Sequence, residues 1–136
     1  MSKDKEKQVD NCLMNNSFKL TLEGTDFTPD DIDTIKLPVF GVTDEASQHE
    51  HFFAVQFRNR LGGVSAAKWY HNYTKNKDSK PFQMILEQYN GDSLAQTWVF
   101  SEAKPVQMSA GDIIKSEEAN HFLTAIVFIY NTLEIS

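Results

Sequence analysis

His49-Glu50-His51 places two imidazoles at i and i+2, one face of a strand, a spacing that some metal sites use. Such a site needs further ligands, and His71 and His121 are the only other histidines. The pair reads as a solvated loop ahead of a strand. Asp30, Asp31 and Asp33 suggest calcium, yet the Asp-x-Asp-x-Asp-Gly loop and its closing Glu are absent. They read as turn and capping acids. Asp10 and Cys12 invite thiol chemistry, but no histidine is placed to activate the sulfur. Glu87 with Glu23 or Asp92 would have to converge to act as a glycosidase-like carboxylate pair, and solvated strand positions explain all three. Gly62-Gly63 lacks the further glycines and the Lys-Ser/Thr ending of a phosphate loop. These residues predict no catalysis, no metal and no cofactor.

Trp69, Tyr70 and Tyr73 admit two uses. They form a platform for a sugar or nucleobase, or the packed stripe of a helix lying on a sheet. The second reading is preferred, and Trp98 reads likewise as core. The net charge of −6 argues against a dedicated nucleic-acid binder, which neutralises phosphates with clustered cations. Here Lys3/Lys5/Lys7 and Lys75/Lys77/Lys80 are interleaved with Asp4, Glu6 and Asp78.

The elements that must position these residues follow from patterning. Residues 1–16 are polar, with Val9, Leu13 and Met14 as apolar points, and predict a mobile arm ordered only under a partner. Phe18 to Glu23 alternates strictly, which predicts a half-buried strand. Thr28-Pro29-Asp30-Asp31 is a turn, followed by a strand over Ile32 to Leu37 that Pro38 stops. Val39 to Glu50 is loop-like. His51 to Leu61 reads as a strand, with Phe53, Val55 and Phe57 on one face and Gln56 and Arg58 on the other. Helical spacing then runs from Val64 to Tyr73, with Ser65 as N-cap. Phe82 to Tyr89 and Leu94 to Phe100 form a hairpin about Asn90-Gly91-Asp92. Pro105 ends that region, and Met108 to Asn120 is irregular or a short helix. His121 to Ile135 is the longest strand, apolar on both faces.

The expected architecture is mainly antiparallel β, a sandwich or open barrel with one flanking helix, over residues 17–136. Leu20, Phe53, Phe57, Trp69, Ile85, Trp98, Phe128 and Tyr130 are its candidate core. The 40% hydrophobic content suits one such core. The apolar run Phe122 to Tyr130 is about half the ~20 residues of a membrane helix. Met1 to Gln8 is charged and leads into no apolar segment, which predicts no signal peptide. A lone Cys12 offers no internal disulfide and suits a reducing compartment.

Several segments occur together in a telling order. They are Glu23-Gly24, Lys36-Leu37-Pro38, Trp69-Tyr70, Ile85 through Gly91, Trp98 leading to Ala103-Lys104-Pro105, and Ile129 through Ile135 at the end. In this layout the chain resembles the tail tube protein of contractile bacteriophages, whose fold is shared with the haemolysin-coregulated protein of type VI secretion. The resemblance implies six subunits joined edge to edge into rings with an inner β-barrel. It further implies rings stacked into a tube, and passage of DNA or an effector. Implied partners are further copies of the chain, sheath and baseplate proteins, and a tape-measure protein and DNA transiently in the lumen, with no membrane. The implied location is a virion tail, assembled in the host cytoplasm. An acidic or neutral lumen would let DNA slide. Gln56, Arg58, Gln83, Glu87, Gln96 and Thr97 are the candidate lumen-facing residues, as polar members of alternating strands. Two alternatives stay open: a type VI secretion or baseplate tube component, and a monomeric β-sandwich using Trp69 and Tyr70 to bind a ligand.

Overall fold

The computed structural model describes residues 17–40, 51–59, 62–111 and 123–136. The strict alternation after Ser17 gives strand β1 (Phe18–Leu22), with Leu20 and Leu22 buried and Lys19 and Thr21 exposed. Pro29 opens a single 3₁₀ turn (Pro29–Asp31). The buried Asp31 carboxylate there accepts from the Thr28 amide at 2.8 Å and the Thr28 hydroxyl at 3.2 Å. Strands β2 (Ile32–Lys36) and β3 (Phe52–Arg58) follow. Helix α1 (Ala66–Lys75) starts where the Ser65 hydroxyl accepts the Lys68 amide at 3.3 Å. Strands β4 (Phe82–Asn90) and β5 (Ser93–Ser109) form a hairpin closed by Asn90 opposite Ser93, with Gly91 at φ +64°. Strands β6 (Leu123–Ile129) and β7 (Thr132–Ile135) complete the fold.

The strands join antiparallel in the order β1-β4-β5-β6-β3-β2, with β7 on β5. Strand β5 serves two sheets. Its Ser93–Ala103 part pairs with β4, while Trp98–Ser101 also pairs with β7 and Lys104–Ser109 pairs with β6. The first sheet is therefore β1, β4, the start of β5 and β7. The second is the end of β5, β6, β3 and β2. Glu102 marks the corner at φ +54°, where its carboxylate accepts the Asn131 side-chain amide at 2.8 Å. A Gly-like φ on Glu and the nearby bulges turn the strand from one sheet into the other.

Aromatic rings fill the space between the sheets. Phe53 of β3 stacks on Phe100 of β5 at 4.3 Å, and Phe100 meets Tyr130 edge-on at 5.0 Å. Trp69 of α1 packs against Phe27, Phe82 and Phe128 and so closes one end of the core. Among the described residues no buried side-chain polar atom lacks a partner.

Three expectations change. Strand β5 runs through Pro105 to Ser109 instead of stopping. Pro105 is tolerated because it sits at an irregular step of the ladder, on a strand whose other edge has no described partner there. Met108 is accordingly strand, while residues 112–120 of the segment read as irregular lie outside the described residues. The single long C-terminal strand is two, because Asn131 breaks register to donate its amide to the Ser101 carbonyl at 2.9 Å. Finally, Ile85 is not core. It lies on the face of β4 opposite the buried Met84 and Leu86.

Candidate assembly interface

Directly paired residues of antiparallel strands share a face, so the registers define what each sheet presents outward. The second sheet shows two complete rows. One is Thr34, Gln56, Ala125 and Ser109; the other is Lys36, Ala54, Val127 and Gln107. Phe52, Ile129 and Lys104 form a third row, and Arg58 stands beside Leu123. The Arg58 guanidinium pairs with Asp33 at 3.2 Å. Small side chains dominate the middle of this face, and its cations are Lys36, Arg58 and Lys104.

The first sheet presents a different surface. Its outward rows are Lys19, Glu87 and Thr97; Thr21, Ile85, Val99 and Glu134; and Glu23 with Gln83. Three carboxylates face one ammonium here. The two outer faces carry opposite sign.

Edges matter as much as faces. Strand β2 pairs only with β3, and no described strand pairs with Lys104–Ser109 on the side away from β6. On β1, the Ser17 carbonyl accepts the Tyr89 amide at 2.9 Å and the Glu23 amide donates to the Gln83 carbonyl at 3.0 Å. Alternation then directs the main-chain groups of Phe18 and Leu20 toward the other edge. There, between β1 and β2, lies a groove of about 620 Å³ walled by Phe18, Ile32, Ile35, Leu37, Leu86 and Gln88.

Nothing in the geometry assembles a catalytic set among the described residues, and no group of three or more metal-ligating side chains occurs among them. Burial raises the Tyr73 phenol above the usual tyrosine range, while its hydroxyl donates to the Lys80 carbonyl at 2.6 Å. No described helix is long and apolar enough to cross a membrane. Asp10, Cys12 and His49 lie outside the described residues.

No family model matches the chain, and no curated protein does. Solved structures do. The chain is similar to one in the sheath/tube terminator of the extracellular contractile injection system PVC, in its extended state. That match has a TM-score of 0.69 at 11% identity and covers 92% of this chain and 96% of the other. It is similar to a chain of the PVC sheath-tube complex at TM-score 0.65 and 11% identity, covering 96% of each. It also resembles Hcp1 from Flavobacterium johnsoniae at TM-score 0.58 and 14% identity, covering 88% of this chain and 94% of the other. The chain has a tail-tube-like fold.

Within the tail-tube-like fold the candidate lumen residues do not share one surface. Gln56 and Arg58 face outward from the second sheet, and Gln83, Glu87 and Thr97 face outward from the first. Gln96 points to the other side of β5 from Thr97, where its amide donates to the Gln88 oxygen at 3.3 Å. Neighbours on one strand cannot line one bore. Leu20, Phe53, Phe57, Phe128 and Tyr130 are buried, and Trp69 and Trp98 pack half-buried against them. Trp69 and Tyr70 both pack against the core rather than forming an exposed platform, so the aromatic ligand site loses its surface. Patterning flagged the polar strand positions, and the resemblance implied edge-to-edge joining, but neither said which strands keep a free edge, because an edge has no side-chain signature.

Proposed function

We propose that the protein is a tail tube subunit, six copies closing into a ring and rings stacking into a hollow conduit. The second sheet carries this reading. Its outermost strands, β2 and the Lys104–Ser109 part of β5, each keep an edge without a described partner. Joining such sheets head to tail completes both edges at once, and the chain of contacts ends when the ring closes. The tail-tube-like fold supports it independently.

The same join makes the outward face of the second sheet the wall of the bore, with Gln56 and Arg58 on it. Side chains converge on a concave wall, and Ala54, Ala125, Thr34 and Ser109 are small enough to fit. The acids Glu23, Glu87 and Glu134 then lie on the first sheet, toward the outside. A net charge of −6 therefore does not imply an acidic bore. The wall holds Lys36, Lys104 and an Arg58 tied to Asp33, so DNA in transit meets cations that salt screens. The role is structural, without catalysis. Sheath, baseplate and tape-measure proteins are the partners, and the particle is a tail assembled in the host cytoplasm.

Negative-stain electron microscopy of the concentrated protein tests the reading, with rings or hollow rods as the expected result. A solitary monomer both in solution and within its native particle overturns it. The likeness to Hcp1 favours a second reading, a secretion tube. Sheath, tape-measure and terminase genes beside this one would decide for the phage.

A further inference from the structure

We propose that β1 of one copy pairs antiparallel with β7 of a second copy, Phe18 opposite Ile135, Lys19 opposite Glu134 and Leu20 opposite Leu133. These strands are the two edges of the first sheet, and no described strand pairs with the outer side of either. Their main chains are phased for the join. On β1 the Ser17 carbonyl and the Glu23 amide bond to β4, so Phe18 and Leu20 turn their amides and carbonyls outward. On β7 Ser136 exchanges both main-chain bonds with Thr97 at 2.9 Å, so Leu133 and Ile135 turn theirs outward. Direction agrees too. Successive antiparallel pairing sets β1 and β7 opposite ways within a chain, and likewise between copies stacked in the same sense.

Side chains select the register. Leu20, Leu86, Trp98 and Ile135 form one inward row, and Ile135 at its end is 51% exposed. The join covers Ile135 with Phe18 of the second copy. On the outward side it sets the Lys19 ammonium, which lies 5.6 Å from the centre of the Tyr89 ring, against the Glu134 carboxylate. Sliding by two residues puts Glu134 against Thr21, or Lys19 against Thr132. Sliding by one turns the apolar row of one strand to solvent. Only the proposed register matches cation with carboxylate and apolar with apolar.

The second copy is not the ring neighbour, a placement that rests on the tail tube reading. With the second sheet as bore wall, the first lies about 10 Å further out, and six-fold closure of the inner edges leaves the outer ones about 10 Å apart. Main-chain bonds join strands only about 4.8 Å apart. Strand β1 therefore meets a copy in an adjoining ring, and these contacts run along the tube without closing.

Within a chain, β4 and β5 separate residues 19 and 134 by three spacings of about 4.8 Å, beyond disulfide reach. With Cys12→Ser as background, full-length Lys19→Cys and Glu134→Cys proteins are concentrated and oxidised, separately and mixed. Neither alone should form a dimer, and the mixture should. Equal dimer in a single variant, or none in the mixture, overturns the proposal. The Lys19→Cys/Glu134→Cys chain should give a ladder without a fixed upper size. Monomer, or a ladder ending at the size reached through Thr34→Cys/Ser109→Cys, overturns it. A Thr34→Cys/Ser109→Cys chain that stays monomeric counts against the ring reading instead, so the two failures are told apart.

Discussion

Phe53 and Phe100 stack at 4.3 Å with 20° between their planes, one ring from each sheet. Both are buried, at 3% and 0% exposure. Phe53→Ala or Phe100→Ala should each cost about 3–5 kcal/mol, because the cavity adds to the lost transfer energy. A double-mutant cycle with Leu at both positions should leave a coupling of about 0.5–1.5 kcal/mol, read by urea unfolding.

The Trp98 indole N–H donates to the Gln88 side-chain oxygen at 2.7 Å. Trp98→Phe keeps a ring in place but withdraws that donor, leaving Gln88 with the longer contact from Gln96 at 3.3 Å. A loss of about 1 kcal/mol is expected. Gln88→Ala should lower stability similarly and shift Trp98 fluorescence, since the indole loses its acceptor.

Burial holds the Tyr73 phenol in its neutral form beyond the usual range. The folded state then binds this proton more tightly than the unfolded state does. Its stabilising contribution is complete below about pH 10 and declines as pH rises from there through the folded-state pKa. Tyr73→Phe should flatten that part of the stability profile in denaturant melts between neutral pH and strongly alkaline pH.

Glu102 occupies the left-handed region at φ +54°, and its carboxylate accepts from Asn131 at 2.8 Å. Ala at this position keeps the backbone strain and removes the bond. Gly removes both. Glu102→Gly should therefore be more stable than Glu102→Ala by about 1 kcal/mol, measured by thermal or urea unfolding.

Thr34 and Ser109 stand at opposite ends of one outward row, separated by β3 and β6. Three strand spacings of about 4.8 Å put them beyond disulfide reach within a chain. With Cys12→Ser as background, Thr34→Cys/Ser109→Cys should give a covalent ladder up to ring size when concentrated protein is oxidised. A product confined to monomer would count against pairing of β2 with β5 between copies.

The strands and the hairpin were legible because their signals are local. Period-two alternation located β1, β3 and β4, Asn90-Gly91-Asp92 located the turn, and Ser65 located the start of α1. Most of the core was legible for the same reason. The corner of β5 was not, since Pro105 ordinarily ends a strand and only the lack of a described neighbour on one edge lets it stay. Nor was the break at Asn131, which depends on Ser101 and Glu102 across the ladder.

Alternation by itself determined that Gln56 opposes Val55, or Thr97 opposes Gln96, within one strand. It could not determine that Gln56 and Glu87 belong to different sheets, or that the cations and acids collect on separate outer faces. Those outcomes were decided by pairings such as Phe52 with Ile129 and Ile85 with Val99, which join residues from distinct strands. A strand's own pattern records which side is buried. The neighbour it faces is chosen by hydrogen bonding and packing once the whole sheet forms.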